Sequence, residues 1–137
     1  MTDEPAVLDL MDSDPAYADE LGAVYQGDSR ESLQELPDDS IDLVVTSPPY
    51  NIGKEYEEVM ALNDYLDFMS QWMLKTEDKL AEDGSFWLNI GFRKESDGRQ
   101  YVPWEYDIYP IIRDEMGISL VQQVIWHYKA GVNCRHR

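Results

Sequence analysis

The sequence is poor in cysteine, in basic residues and in long apolar runs, and each shortage excludes a class of protein. Its one cysteine, Cys134, has no partner for an internal disulfide, and no Cys/His spacing typical of zinc sites occurs. No uncharged stretch approaches the roughly 18 apolar residues that cross a bilayer, and the N-terminus lacks the basic-then-apolar order of a signal peptide. We therefore expect a cytoplasmic protein that binds neither a metal nor a membrane.

Basic residues are scarce relative to acids. The 11 Lys and Arg face 28 Asp and Glu, so the net charge is 11 − 28 = −17. Nucleic-acid binders usually display a basic surface that displaces counterions from phosphates, so the charge taken alone argues against DNA. Residues 1–60 hold 16 of the acids, whereas residues 121–137 hold none. The composition also fits a halophile's protein, because in molar salt the Debye length is about 3 Å and a negative surface repels DNA only at very short range.

The length of 137 residues accommodates at most one domain, and 43% hydrophobic residues are ample for a core. Residues 1–20 carry seven acids and no base, so we expect an acidic, disordered tail there. Residues 21–137 are then the folded part.

Apolar runs alternate with helical periods along the folded part. Strands are predicted at residues 23–26, 41–46, 85–90 and 120–128. The predicted helices lie between the first two strands, from Asn63 to about residues 82–84, and over 104–116, with a loop at 91–101. This order predicts an α/β fold, a partial Rossmann-like, doubly wound and mainly parallel sheet with helices on both faces.

The segment with the most chemical information is residues 46–51 (TSPPYN), which follows the most hydrophobic strand. Two consecutive prolines remove two backbone donors and favour extended conformations for Ser47 and Pro48. Ligands in open parallel sheets bind beyond the carboxyl ends of the strands. The segment therefore predicts a stiff, ligand-binding turn, for which a plain proline-rich turn is the alternative.

Ser47, Pro48, Pro49 and Tyr50 together resemble the catalytic motif of the S-adenosylmethionine-dependent DNA amino-methyltransferases, which modify an exocyclic nitrogen of cytosine or adenine. The resemblance runs from about residue 23 to the end, and includes Gly27-Asp28, LAEDGSFWLNIG and VIWHYKAG in the family's β-type order. It implies S-adenosyl-L-methionine as cofactor and double-stranded DNA as substrate.

The resemblance also implies roles for single residues. The Ser47 hydroxyl and the Pro48 carbonyl would accept hydrogen bonds from the target NH₂ group, beside the stiffening Pro49, and Tyr50 would stack on a base flipped out of the duplex. Asp28 would bind the cofactor's adenine, or else cap the following helix. The remaining expected substrate contacts, with core or solvated-loop positions as alternatives, are Asn51, Lys54, Trp126 and Tyr128.

None of the eight glycines forms the Gly-x-Gly of the family's cofactor loop. In β-type order this loop follows the catalytic half, so the resemblance implies an N-terminal catalytic portion that is inactive alone and needs a complementary C-terminal half or second subunit. Cys134 is not needed as a nucleophile.

Ser in the first motif position favours cytosine-N4 over adenine-N6, and a restriction-modification role follows from the family. Two alternatives remain open, namely a non-catalytic or split remnant and a methyltransferase of protein glutamine or RNA amino groups.

Overall fold

The computed structural model describes residues 11–55, 57–95 and 100–127 of the chain. Within them the helices are α1 (Ser29–Glu35), α2 (Leu62–Lys79) and α3 (Glu105–Asp114). The strands are β1 (Tyr17–Ala18), β2 (Ala23–Val24), β3 (Ile41–Thr46), β4 (Leu80–Leu88), β5 (Phe92–Lys94) and β6 (Tyr101–Pro103).

The central unit is β3–α2–β4, in which the two strands are parallel neighbours and α2 is the crossover. The strand predicted at 41–46 is confirmed, because its β-branched, apolar residues suit a strand beside a covered face. Thr46 pairs with Leu88 at the carboxyl ends. The unit places both strand ends at one edge, where a ligand site is expected.

The core lies between α2, α3 and one face of the strands. Its buried side chains come mainly from positions of α2 and α3 that recur with a helical period. They are Tyr65, Met69, Trp72, Met73, Trp104, Ile108, Ile111 and Met116. Phe86 and Leu88 of β4 pack against this cluster, so the helices and the sheet share one core.

The predicted boundary between the second helix and the third strand is wrong by several residues. Helix α2 ends at Lys79 and β4 begins at Leu80, well before residue 85. From the pair Ile41–Leu80 to the pair Leu43–Ser85, β3 advances two residues and β4 five, so β4 carries an irregularity. A Cβ at Gly84 would lie 2.8 Å from the Ala81 carbonyl oxygen, so Gly84 serves close backbone approach inside a strand rather than ending a helix.

The first predicted strand forms, but not in the parallel sheet. Strand β2 pairs antiparallel with β1, because Asp19 accepts hydrogen bonds from the backbone N–H groups of Leu21 and Gly22 and closes a tight turn. Within the predicted acidic tail, β1 is thus a short strand, and the backbone N–H of Ser13 donates to Glu35 at 2.8 Å. Residues 1–10 lie outside the described residues.

The predicted loop at 91–101 contains strands, which is a second correction. Strands β5 and β6 pair antiparallel, with Arg93 opposite Val102. The Trp104 backbone N–H donates to the Gly91 carbonyl, which joins this ribbon to the start of α3. The helix predicted at 104–116 is confirmed as α3, with Pro110 inside it.

The prediction of a strand at 120–128 is wrong for residues 120–127, the part of it that the structure describes. Residues 120–127 have no regular secondary structure and are exposed, and Tyr128 lies outside the described residues. An apolar run forms a strand only where a neighbouring strand satisfies its backbone groups, and no described strand pairs with this segment.

The second face of the β3–β4 pair is uncovered in the described residues. Leu43, Val45 and Trp87 alternate with the core-facing side chains and are 56%, 71% and 52% exposed. None of the described helices combines the length and apolarity needed to span a membrane.

Candidate active site

The Ser-Pro-Pro-Tyr turn leaves the carboxyl end of β3 beside the carboxyl end of β4. The backbone N–H of Asn89 donates to the Thr46 carbonyl at 2.9 Å and extends the parallel ladder by one residue. The turn therefore begins where both strands end, as the sequence predicts.

Two buried aromatic residues hold the turn through hydrogen bonds to its carbonyl groups. The Tyr65 hydroxyl donates to the Pro49 carbonyl at 2.6 Å, and the Trp104 indole N–H donates to the Tyr50 carbonyl at 2.7 Å. The two rings lie 4.4 Å apart, and both residues are 1% exposed. Burial, followed by the charges of Glu57 and Tyr50, raises the pKa of Tyr65, so this hydroxyl stays a donor.

The carbonyl of Pro48 differs from its two successors, because no donor among the described residues binds it. The side chain of Ser47 is exposed at the same edge. The turn thus presents two acceptors, the Ser47 hydroxyl and the Pro48 carbonyl.

The Tyr50 side chain folds back toward Ser47. Their hydroxyl oxygens are 2.9 Å apart, and either can donate. The side-chain amide of Asn89 donates to the Tyr50 hydroxyl at 3.0 Å and approaches the Ser47 hydroxyl at 3.4 Å. The ring edge of Tyr50 also lies over Gly91, where a Cβ would be 3.6 Å away. These contacts bring three polar side chains together at the strand ends.

Glu57 organises the loop that follows the motif. Its carboxylate accepts hydrogen bonds from the backbone N–H groups of Tyr50 at 2.8 Å, Ile52 at 3.0 Å and Lys54 at 3.2 Å. Burial raises the pKa of Glu57, but the backbone donors together outweigh it, so the net pKa lies below its ordinary value. An ionised Glu57 therefore fixes the loop at neutral pH.

The two predicted substrate contacts in this loop occupy different positions. The Asn51 side chain accepts from the Met60 backbone N–H at 2.7 Å and donates to the Met60 carbonyl at 3.0 Å. Asn51 also has a positive φ of 55°, a conformation that Asn tolerates better than most residues. Lys54 is exposed on the loop surface.

A pocket of about 200 Å³ opens at the turn. It is lined by Ser47, Pro48, Pro49, Tyr50 and Glu57. The four predicted motif residues thus line one cavity, with an aromatic face beside hydroxyl and carbonyl acceptors. Such a cavity suits a planar, amine-bearing group.

Asp28 lies at the N-terminus of α1, where it accepts a hydrogen bond from the Arg30 backbone N–H at 2.9 Å. Its carboxylate also pairs with the Arg30 guanidinium at 2.5 Å. The guanidinium, and after it the backbone N–H, lower the pKa of Asp28 to about 2. The helix-capping role that the sequence left open is therefore present, and binding of adenine by Asp28 stays a prediction.

A second cavity, of about 290 Å³, lies beside Asp28, and its wall includes Tyr25, Gly27 and Ser29. Trp126 is exposed within residues 120–127, and Tyr128 lies outside the described residues.

Sequence reasoning missed four residues around the turn, which are Asn89, Glu57, Tyr65 and Trp104. A signal existed for Asn89, since a polar residue directly after an apolar strand that parallels β3 reaches the same edge of the sheet. Tyr65 and Trp104 act through contacts over 16 and 54 positions of sequence. Glu57 lies only seven positions from Tyr50, but its contacts depend on the path of the loop, which no local pattern specifies.

Comparison with known proteins agrees with this geometry. The sequence profile of a family described as DNA methylase matches residues 41–137. The type II methyltransferase M.ScaI of Streptomyces caespitosus is 38% identical over 88% of this chain and 38% of its own length. The chain thus spans about two fifths of that relative.

Two solved structures also match. The PvuII DNA methyltransferase, described as cytosine-N4-specific, is 29% identical with a TM-score of 0.65 over 78% of this chain and 38% of its own. A putative DNA modification methylase from Thermus thermophilus, complexed with S-adenosyl-L-methionine, is 30% identical with a TM-score of 0.51 over 64% of this chain and 38% of its own. The α/β, Rossmann-like class is confirmed, and the chain belongs to the DNA methylase family.

Proposed function

We propose that the chain is the catalytic portion of a site-specific DNA methyltransferase that methylates the exocyclic amino group of a flipped base. The observation that carries the proposal is the turn itself. Its Pro49 and Tyr50 carbonyls are held by Tyr65 and Trp104, while Ser47 and Pro48 line a pocket together with the ring of Tyr50.

The two acceptors explain how a poor nucleophile is activated. The lone pair of an exocyclic amine is delocalised into the base and is therefore unreactive. Hydrogen bonds from its two N–H groups to Ser47 and Pro48 pull the nitrogen toward tetrahedral geometry and localise that lone pair. Pro49 keeps the acceptors at a fixed spacing, which is a positional contribution.

Tyr50 supports the flipped-base step. A base within a duplex cannot reach a pocket at a sheet edge, so the nucleotide has to leave the stack and be held by an aromatic face. Tyr50 lines the pocket beside both acceptors. We assign the exposed Lys54 and Trp126, and Tyr128 beyond the described residues, to contacts with DNA. For Asn51 we propose a contact with DNA through its backbone only, because its side-chain amide is bonded to Met60.

S-Adenosyl-L-methionine supplies the methyl group when bound, and the described residues fit only part of its site. The cavity wall at Tyr25, Gly27 and Ser29 is the part that we assign to the adenine. Asp28 would have to exchange its bonds with Arg30 to contact the adenine. The sequence contains no Gly-x-Gly for the methionine part. We therefore assign the preparation of the methyl acceptor to the residues of this chain. Binding of the cofactor then needs further polypeptide.

That further polypeptide is a complementary C-terminal half, in the same chain or as a second subunit. The matched relative M.ScaI is covered for only 38% of its length. The exposed Leu43, Val45 and Trp87 offer an apolar surface that such a half would cover.

Cytosine-N4 is the proposed target atom in preference to adenine-N6. Ser47 in the first motif position supports it, as does the likeness to a structure described as cytosine-N4-specific. A restriction-modification role is the corresponding biological setting, since the relatives are type II methyltransferases.

The proposal is tested by joining this chain to the part of M.ScaI that lies outside the matched region. The fusion is incubated with duplex DNA and S-adenosyl-L-methionine, and the hydrolysed DNA is analysed by mass spectrometry for N4-methylcytosine and N6-methyladenine. We expect N4-methylcytosine.

Ser47→Ala and Tyr50→Ala should lower kcat by at least about 100-fold, since each removes a group that acts on the amine or the base. The matched controls are Ser119→Ala and Tyr106→Phe, which alter exposed residues. A folded fusion that methylates no DNA, or an undiminished Ser47→Ala variant, would contradict the proposal. N6-methyladenine would overturn only the choice of base.

A further inference from the structure

We propose that Asn89 is a positioning residue of the methyl-transfer site, which acts by holding the hydroxyl groups of Ser47 and Tyr50. The inference rests on the proposed function. It adds a residue outside the Ser-Pro-Pro-Tyr turn, placed directly after the neighbouring strand β4.

The position of Asn89 is fixed by the backbone. Its N–H donates to the Thr46 carbonyl at 2.9 Å, so the residue is tied to the last residue of β3. Ser47 follows Thr46 directly, and the Asn89 side chain leaves the ladder at the level of the Ser47 side chain. Leu88 and Ile90, its neighbours in sequence, pack against the core. Asn89 is itself exposed, and its amide contacts Ser47 and Tyr50, two residues that line the pocket.

The side-chain amide makes a three-membered polar cluster. It donates to the Tyr50 hydroxyl at 3.0 Å and to the Ser47 hydroxyl at 3.4 Å, while these two hydroxyl oxygens are 2.9 Å apart. The amide thus limits both the rotamer of Ser47 and the tilt of the Tyr50 ring.

The number of protons and lone pairs on the Ser47 hydroxyl determines whether it can still bind the substrate. A serine hydroxyl has one proton and two lone pairs. When Ser47 donates its proton to the Tyr50 hydroxyl and accepts from Asn89, one lone pair remains for an N–H group of the target amine. In that arrangement Ser47 is an acceptor for the substrate, and Asn89 holds its hydroxyl and the Tyr50 ring in fixed relative positions.

The amide has no bond to the substrate in this scheme, so its removal should slow the reaction without abolishing it. Asn89→Leu keeps the approximate volume and removes the donor, and Asn89→Ala removes both. In the fusion described above, both variants should lower kcat by about 10-fold to 100-fold, the range expected for a misplaced reacting group, with the KM for S-adenosyl-L-methionine unchanged. Asn63→Ala, at an exposed amide on α2, is the matched control and should retain full activity.

A double-mutant cycle distinguishes positioning from a general structural role. In a Tyr50→Phe background the main acceptor of the amide is already absent, so Asn89→Leu should cost much less than in the wild type. A merely structural Asn89 would give the same fold-loss in both backgrounds, and that result would overturn the inference. So would wild-type kcat in the Asn89→Leu variant, while DNA methylation by the wild-type fusion would leave the proposed function standing.

A measurement on the 137-residue chain tests the cluster independently of methyl transfer. The side-chain ¹⁵N–¹H resonances of Asn89 should shift in Tyr50→Phe and remain in place in Tyr106→Phe. Unchanged resonances in Tyr50→Phe would overturn the inference even if the fusion methylates DNA. A shift together with a fusion that methylates no DNA would retain the cluster and refute the function assigned to it, so the two failures are distinguishable.

Discussion

Tyr65 and Trp104 decide which carbonyls of the turn are available to a substrate. Prolines alone stiffen a turn, but they leave each carbonyl free to bind solvent or ligand. Here the carbonyls of Pro49 and Tyr50 are bonded by buried donors, and the Pro48 carbonyl has no donor among the described residues. Two aromatic side chains from α2 and the start of α3 therefore separate the structural carbonyls from the one assigned to the substrate.

Replacing the Tyr65 hydroxyl tests this division. Tyr65→Phe keeps the ring beside Trp104 and removes the donor to Pro49. We expect the free energy of unfolding to fall by about 0.5–1.5 kcal/mol, the net value of a typical hydrogen bond. Urea denaturation would measure the change, with Tyr106→Phe as an exposed control on α3. Equal stability of Tyr65→Phe and wild type would contradict a structural role for the Pro49 bond.

At the scale of the element, residues 50–54 are held by the carboxylate of Glu57. The pKa of Glu57 is lowered on folding, so its ionised form contributes stability above its ordinary pKa of 4.5, and this contribution is lost as the pH falls through the lower folded value. We expect Glu57→Gln to reduce the free energy of unfolding at pH 7 by on the order of 1 kcal/mol, because an amide oxygen replaces fewer of these bonds.

Urea midpoints of wild type and Glu57→Gln, measured from about pH 7 to about pH 3, check this expectation. The two proteins should converge below pH 4.5, when Glu57 in the wild type becomes protonated. Glu58→Gln, the exposed neighbour, is the matched control. A difference that persists unchanged to the acid end of this range would contradict the assigned role of the charge.

The sequence predicted those elements whose signals are local. Residues 41–46 form a compact β-branched run, and α3 has a helical period bounded by Pro103 and Gly117, so both were found. The predicted end of the second helix near Gly84 is wrong, because the role of Gly84 in close approach to the Ala81 and Ile41 carbonyls depends on β3. The apolar pattern of 120–127 predicts a strand, but strand formation depends on a neighbour that the described residues do not supply.

The same distinction between local signals and tertiary contacts applies to the residues of the site. The Ser-Pro-Pro-Tyr turn is contiguous, so its own residues predict a ligand-binding turn. Asn89 and Glu57 reach it through contacts made over 39 and seven positions of sequence, respectively. Such partners depend on the register of β3 against β4 and on the loop path, which no local pattern specifies.

At the scale of the whole molecule, the uncovered face of β3–β4 predicts a change on assembly. Leu43, Val45 and Trp87 are apolar and exposed, so a complementary C-terminal half should bury them. We expect the tryptophan emission of this chain to shift to shorter wavelength when that half is added in trans, and the shift should be much smaller in Trp87→Phe. Phe retains an apolar ring, so binding itself should persist. An equal shift in both proteins would place the contact elsewhere.

The net charge of −17 has a consequence for the folded state as a whole. Carboxylates spread over a small domain repel one another, and this repulsion opposes compaction. Raising KCl from about 0.1 M to about 1 M shortens the Debye length from about 10 Å to about 3 Å, so the free energy of unfolding should rise with salt. Thermal melts at increasing KCl concentration measure this dependence. A variant carrying Asp14→Asn, Glu20→Gln and Asp83→Asn at exposed positions has a charge of −17 + 3 = −14 and should show a shallower dependence. A wild-type melting temperature that is flat or falls with salt would contradict the expectation that carboxylate repulsion opposes folding.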